Sequence, residues 1–539
     1  MRRIVQFSCA VSLSALFAGA LTAARPLAPG PRLEVTFTPA ARSAAVTGRV
    51  YVAISRTNDR SPIDQTGPTG VPLFALNVES LVPGQAAAVG PEAAGYPIAS
   101  LRDLPAGDYW MEPFINVYTR FARADGHVVW LHMDQWEGQD WKRSPGNLFG
   151  QPVQIHFDPQ SSAVIRLVAD QVIPAIEVPP DTATVHRLRI RSEILSTWWG
   201  QPIYLGATIQ LPPGYDQHPD VKYPIVYSEG HFSLNPPGGT RAGDGAADST
   251  PGPKVIGVSL QHPSPYYDDS YGVNSANNGP YGDAIMQELI PAVESSVRAI
   301  RAPWARILTG GSTGGWIALA HQVFYPDFYG GAFALCPDSV DFRYHQIVNI
   351  YKDPNAYYLS GRSDWVTIER PDTRRPDGNV TSMMKDENWY EAVVGDHSRS
   401  GGQWDIWEAT YGPVGSDGYP QRIWDKTSGV IDKAVADYWK QHFDLRNILE
   451  TNWSTLGPKV AQKLNVYVGD ADTYYLNMGV HMLNDFLTTV DHPKWSGEVL
   501  FQPMAPHCWG PRGADLLAKI VSQITTYAPA GADVTSWRY

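Results

Sequence analysis

Two hydrophobic periodicities divide the chain. Over residues 31–180 apolar and polar positions alternate: Leu33, Val35 and Phe37, then Val50, Val52 and Ile54, and later Val153, Ile155 and Phe157. A period of two puts such side chains on one face of a strand. Asp125-Gly126 falls between Tyr118–Phe121 and Val128–Leu131, a hairpin signal because these residue types tolerate the backbone of a tight turn. Short strands punctuated by Gly, Pro and Asp predict an all-β sandwich over 31–180, with Val178-Pro179-Pro180-Asp181 as the linker that follows it.

From residue 183 to 539 the pattern changes to strands alternating with helices. Strands are predicted at 186–194, 203–211, 223–228, 254–260, 306–309, 331–335, 464–468 and 498–502, several of them unbroken apolar runs, as in strands covered on both faces. Ile285, Leu289 and Val293 recur at i+4 within 284–300, where Pro291 predicts a kink. Leu516, Ile520 and Ile524 form a second stripe in 514–527. Such alternation predicts an α/β fold, a doubly wound and mostly parallel sheet covered by helices. Residues 341–460 break the rhythm with loop signals, many Trp and Tyr and one clearer helix over 428–442, and so predict an inserted cap.

Composition narrows the function. Hydrophobic residues make up 43% and charged residues 18% of 539, which excludes a mainly disordered chain. The net charge of −12, from 42 basic and 54 acidic residues, supplies no basic face for nucleic acid. At the N-terminus Arg2 and Arg3 precede an apolar, acid-free stretch from Ile4 to Ala24 that Arg25 and Pro26 break. This pattern predicts a signal peptide over residues 1–24, cleaved near Ala20 or Ala24, and a secreted or periplasmic protein. Cys9 lies inside it, so of three cysteines Cys336 and Cys508 remain. Neither shows a metal-type spacing.

The strongest chemical signal is Gly310-Gly311-Ser312-Thr313-Gly314-Gly315, preceded by the strand at 306–309 and followed by the helical pattern 317–324. A nucleophilic serine at such a turn needs a strained backbone, small neighbours at −2 and +2, and a helix N-terminus facing the developing oxyanion. In this fold class the order is Ser, acid, His. The strand at 464–468 runs into Gly469-Asp470-Ala471-Asp472, and the strand at 498–502 leads to His507, 35 residues beyond Asp472. Ser312 is therefore read as nucleophile, His507 as base and Asp472 as orienting acid, with Asp470 and Asp338 as alternative acids. The oxyanion donors are expected to be the backbone N–H groups of Thr313 and of His231, in the loop Ser228-Glu229-Gly230-His231-Phe232.

Further segments resemble a known family. Residues 204–215 (YLGATIQLPPGY) with 223–227 (YPIVY), then 279–283 (GPYGD) with Glu288-Leu-Ile-Pro291, and the serine, acid and histidine stations above are similar to the putative-esterase family of the α/β-hydrolase superfamily, which includes esterase D and enterochelin-esterase-like enzymes. The resemblance spans roughly 185–528 without the insertion. It departs at Glu229-Gly230-His231, where a His-Gly or Gly-Gly pair is commoner, and at the Gly/Pro-rich segment 236–253.

In a fold of this kind Cys336 tops the strand after the nucleophile helix and Cys508 follows His507, whose loop reaches back over that strand. A Cys336–Cys508 disulfide pinning the histidine loop is therefore expected. His127, His132, Asp134 and Glu137 lie close in sequence but on alternating strand and turn positions that scatter them, so no metal site is expected there. Trp404, Trp407, Tyr411, Tyr419, Trp424, Trp439 and Trp453 in the insertion either line a pocket or pack within the cap. The reading is an exported serine hydrolase acting on a small-molecule or polysaccharide-linked carboxylic ester, without cofactor, nucleic acid or membrane partner beyond export. A peptidase or acyltransferase with the same triad is the first alternative. A secreted polymer-binding protein on an inactive hydrolase scaffold is the second.

Overall fold

The computed structural model describes residues 30–132, 136, 140–237, 252–359 and 367–539. The signal-like segment, and Asp134 and Glu137 of the histidine cluster, lie outside them. The N-terminal region builds two sheets. In the smaller, Arg32–Phe37 lies between Val164–Ala169 and Ala87–Val89. The larger is centred on Val46–Ser55, which pairs with Leu73–Leu81 and with the long strand Gly107–Ala122. Leu33, Val35 and Phe37 of one sheet and Val50, Val52 and Ile54 of the other share a single core, as the alternation requires. The hairpin forms around Asp125-Gly126, with Phe121 opposite Val129. The third alternating run is different: Val153 is exposed and Ile155 half-buried, because Val153–Phe157 pairs only with the margin of Gly107–Ala122 and just Phe157 reaches the core.

Residues 185–502 build an eight-stranded sheet: β1 (Val185–Ser192), β2 (Ile203–Gln210), β3 (Ile225–Glu229), β4 (Ile256–Gln261), β5 (Arg306–Gly311), β6 (Gly331–Leu335), β7 (Leu464–Gly469) and β8 (Glu498–Gln502). Their spatial order is β1-β2-β4-β3-β5-β6-β7-β8. In this order β2 runs antiparallel to both its neighbours, β1 and β4, and all the other pairs are parallel, which is an α/β-hydrolase-like arrangement. Because the chain crosses between β3 and β4, the ends of β3 and β5 become neighbours, with Glu229 opposite Gly310. The loops leaving β3, β5, β6, β7 and β8 therefore meet along one edge of the sheet, the place where open α/β sheets put their ligands.

Helix α1 (Thr313–Phe324) follows β5 and is buried along nearly its whole length beneath that edge. The helical run before β5 starts at Tyr281 and ends at Ser296, and the expected kink is a π-turn over Ile285–Leu289, just ahead of Pro291. A wider turn there accommodates the missing N–H and the ring of proline. Between β6 and β7 the chain inserts two short antiparallel strand pairs and then α2 (Met384–Val394), α3 (Gln403–Tyr411), α4 (Lys433–His442) and α5 (Leu445–Val460). Helix α4 is shorter than the sequence pattern because Asp432 caps it, accepting from the amides of Ala434 and Val435. The sheet is completed by α6 (Asn477–Thr489) and α7 (Gly513–Tyr527). None of the described helices is long and apolar enough to cross a membrane.

Candidate active site

Ser312 sits between the end of β5 and the start of α1 with φ 58° and ψ −125°, a region costly for a residue with a Cβ. The glycines beside it explain how the turn closes. A Cβ on Gly314 would lie 2.0 Å from the Glu229 carbonyl oxygen, and one on Gly310 would lie 2.3 Å from that of Gly314. Strand, helix and the β3 loop thus cross at backbone contact, which puts Gly230 and His231 over the first turn of α1. Among the described residues none takes the amide hydrogens of Thr313 or His231, so both remain available to an oxyanion.

His507 and Asp472 meet as read from the sequence. The His507 Nδ1 lies 2.7 Å from Asp472 Oδ2, and Asp472 is fully buried. The other carboxylate oxygen accepts from the amides of Tyr474 at 2.9 Å and Leu476 at 3.3 Å, so the acid is held from both sides. An Nδ1–H donated to Asp472 leaves Nε2 as the free base. Tyr474 stands edge-on to the imidazole with centroids 4.9 Å apart. Cys336 and Cys508 form a disulfide with Cα atoms 4.8 Å apart. Its Cys336 sulfur lies 3.8 Å from His507 Nε2 and accepts the Ser312 N–H at 3.3 Å, so one atom touches both partners.

The alternative acids separate. Asp470 turns away and pairs through Oδ1 with Nε2 of His481, on α6, at 2.8 Å. Asp338 does not reach His507 Nδ1 either. Its Oδ1 accepts the Ser312 hydroxyl at 3.4 Å, so the serine faces this carboxylate and not the imidazole. Burial raises the Asp338 carboxyl above the usual carboxylate range, opposed by its bond from Tyr271 and by the nearby His507 and His231.

Several participants carry no sequence signal strong enough to single them out. Tyr271, Gln403 and Trp407 converge on Asp338. Glu229 is wholly buried and bonds His262 Nε2 at 3.0 Å, while His321 of α1 lies 3.5 Å from its other oxygen. The departure from the commoner loop sequence thus places a buried acid under the oxyanion loop, bonded to one histidine and close to a second. The His231 side chain is occupied by Asp268 at 3.0 Å and Asp269 at 3.5 Å. Burial alone would lower this imidazole, but the bond to Asp268 and the charges of Asp268, Asp269 and Asp338 outweigh it and raise it to about 9. His231, Asp268 and Asp269 bring ligand atoms within 4.8 Å of one another, the only described cluster besides the disulfide region close enough for a cation. Of the sequence cluster, His127 pairs with Asp125 at 3.2 Å and His132 is buried against Asn116, so neither faces the other's partner.

The insertion's aromatic residues are mostly core. Trp404, Trp407 and Trp439 pack within 5.4 Å of the His345 ring, centroid to centroid, and Tyr411, Trp424 and Trp453 are buried as well. Packing, rather than a pocket lining, accounts for them; Trp407 alone also reaches the site.

Residues 204–495, more than half of the chain, match the family described as "Putative esterase". No curated protein matches. Among solved structures, a ferulic acid esterase aligns at 13% identity over 60% of this chain and 91% of its own, with a TM-score of 0.32. The fluorophosphonate-binding serine hydrolase FphF of Staphylococcus aureus aligns at 13% identity over 63% and 98%, with a TM-score of 0.33. An S-formylglutathione hydrolase from Agrobacterium tumefaciens aligns at 12% identity over 61% and 90%, with a TM-score of 0.31. The assignment rests on the family match: the chain belongs to the putative-esterase family and is an ester hydrolase.

Proposed function

We propose that this ester hydrolase is an exported serine enzyme that works through Ser312, His507 and Asp472 and a covalent acyl-enzyme. The observation that carries the reading is the 2.7 Å bond between His507 Nδ1 and the buried Asp472, held by a disulfide beside the strained Ser312 turn. Activation begins when the Ser312 hydroxyl turns from Asp338 to His507 Nε2. The Oγ–H proton passes to Nε2 as Oγ bonds the ester carbonyl carbon, and the N–H groups of Thr313 and His231 hold the resulting oxyanion. Collapse breaks the bond to the alcohol, which leaves with the proton from His507. Water then repeats the sequence, releasing the carboxylic acid and restoring Ser312.

The substrate proposed is a carboxylic ester of a small molecule or of a polysaccharide-linked acyl group. The N-terminal sheets act as a sandwich domain and residues 341–460 as a cap over the catalytic domain. Export is supported by Arg2-Arg3 and the apolar stretch to Ala24, and by the Cys336–Cys508 disulfide. Mass spectrometry of the secreted protein should find a mature N-terminus near residue 21 or 25; a retained Met1 overturns export by cleavage. A fluorophosphonate should label the folded protein and fail to label Ser312→Ala, and nitrophenyl esters should turn over. Hydrolysis of peptide anilides alone would make it a peptidase, and no labelling would favour the inactive binding scaffold.

A further inference from the structure

Resting on that reading, we infer that Asp338 is the recognition group for the acyl chain and that the preferred substrates are esters whose acyl group carries a hydrogen-bond donor, hydroxyl or ammonium, on the carbon next to the carbonyl. Asp338 is 3% exposed and lies where the β6 loop passes the nucleophile. Its Oδ2 is saturated, accepting from Tyr271 at 2.5 Å, Thr313 at 3.2 Å, Trp407 at 3.3 Å and Gln403 at 3.4 Å. The Tyr271 hydroxyl itself receives Gln403 and Trp407, so its own hydrogen is directed at Asp338. A carboxylate ringed by donors from three separate segments is a built acceptor site.

Oδ1 is different. Among the described residues its one donor is the Ser312 hydroxyl. That hydroxyl must turn to His507 and then lose its proton, so each turnover strips Oδ1 of its partner in a buried setting, where an unsatisfied acceptor is costly. The substrate can replace it. Of the groups around the tetrahedral carbon, the oxyanion faces the amides of Thr313 and His231, and the alcohol oxygen must face His507 Nε2 to be protonated. The acyl chain takes the remaining direction. Since Ser312 bonds Asp338 rather than His507, Asp338 lies off the imidazole direction, 3.4 Å from the Oγ that becomes the acyl oxygen. A donor on the adjacent carbon comes within reach of Oδ1. An acyl group without one leaves the carboxylate bare.

The test compares phenyl esters of propanoate, 2-hydroxypropanoate, 2-aminopropanoate and 2-fluoropropanoate with the full-length protein. Fluorine activates the carbonyl at least as strongly as hydroxyl but donates no hydrogen bond, so intrinsic reactivity is controlled. A kcat/KM at least tenfold higher for the hydroxy or amino ester than for the fluoro ester is expected, with the larger of the two identifying hydroxyl or ammonium. Asp338→Ala should shrink that ratio toward unity. A wild-type ratio at or below one overturns the inference, as does an unchanged ratio in folded Asp338→Ala; if that variant does not fold, the wild-type panel decides. Propanoate turnover and fluorophosphonate labelling with a flat panel would sink this inference alone, whereas no turnover and no labelling would sink the esterase mechanism itself.

Discussion

Asp470 and Asp472 leave β7 two residues apart, yet they turn to different histidines, His481 and His507. Asp472→Asn should therefore lower kcat by about 10^4-fold, the scale on which loss of the orienting carboxylate is felt in a serine triad. Asp470→Asn should stay within a few-fold of wild type, and steady-state kinetics on one nitrophenyl ester checks both. His231 gives a prediction in pH. Its folded value is raised to about 9 from 6.5, so its pairing with Asp268 contributes stability that is complete below about pH 6.5 and lost as pH rises through 9. Denaturant melts from pH 7 to 10 should show this loss in wild type and a smaller one in His231→Ala. At this scale the sequence was most legible for residues that a strand end must present, Ser312, Asp472 and His507. Tyr271 and Gln403 were not legible, because they reach Asp338 across 67 and 65 residues from segments without periodic signal.

Among the elements, the β5–α1 turn is the most constrained. A Cβ at Gly314 would stand 2.0 Å from the Glu229 carbonyl oxygen, which is backbone and cannot swing aside. Gly314→Ala should push the oxyanion loop away from the helix N-terminus, costing about 1–3 kcal/mol of stability and more than tenfold in kcat, readable by thermal melts and kinetics on the same preparation. The inserted helices carry a different liability. His345 is fully buried among tryptophans, with neither ring nitrogen bonded among the described residues, and burial depresses it from 6.5 to about 3. The neutral imidazole is the form that folds. Its contribution is therefore complete above pH 6.5, and each pH unit below that costs up to about 1.4 kcal/mol, toward the folded value. His345→Phe should flatten the acid limb of the stability profile between pH 6 and 4; an unchanged slope would place the acid sensitivity elsewhere. The eight core strands were readable to within a residue or two because short apolar runs bounded by breakers have few other fates. The insertion was not, since its aromatic positions serve equally well as core or as pocket until their neighbours are known.

Across the whole molecule, the insertion is held from two sides. On one, Arg49 donates to the Val393 carbonyl at 3.0 and 2.8 Å and Tyr51 to that of Val394 at 2.6 Å, so the N-terminal sheet caps the C-terminal end of α2. On the other, Gln403 and Trp407 of α3 reach Asp338 beside the nucleophile. Arg49→Ala should destabilise the protein by about 1–3 kcal/mol by stripping the buried Val393 carbonyl of its donor, with an accompanying rise in KM; an unchanged KM would separate the N-terminal sheets from the active site. Replacing Cys336 and Cys508 together by Ser opens a loop of 172 residues. It should cost about 2–5 kcal/mol and lower kcat more than tenfold by loosening His507; intact kcat with lowered stability would reduce the bond to a structural tie. From its local patterns alone the chain determined the strand order in sequence, the serine turn and the residues that leave β5, β7 and β8, because periodicity and backbone sterics act over a few neighbours. Where Asp470 turns, where the serine hydroxyl rests and what the insertion touches were decided only in three dimensions, because those outcomes depend on loops whose packing partners lie tens to hundreds of residues away.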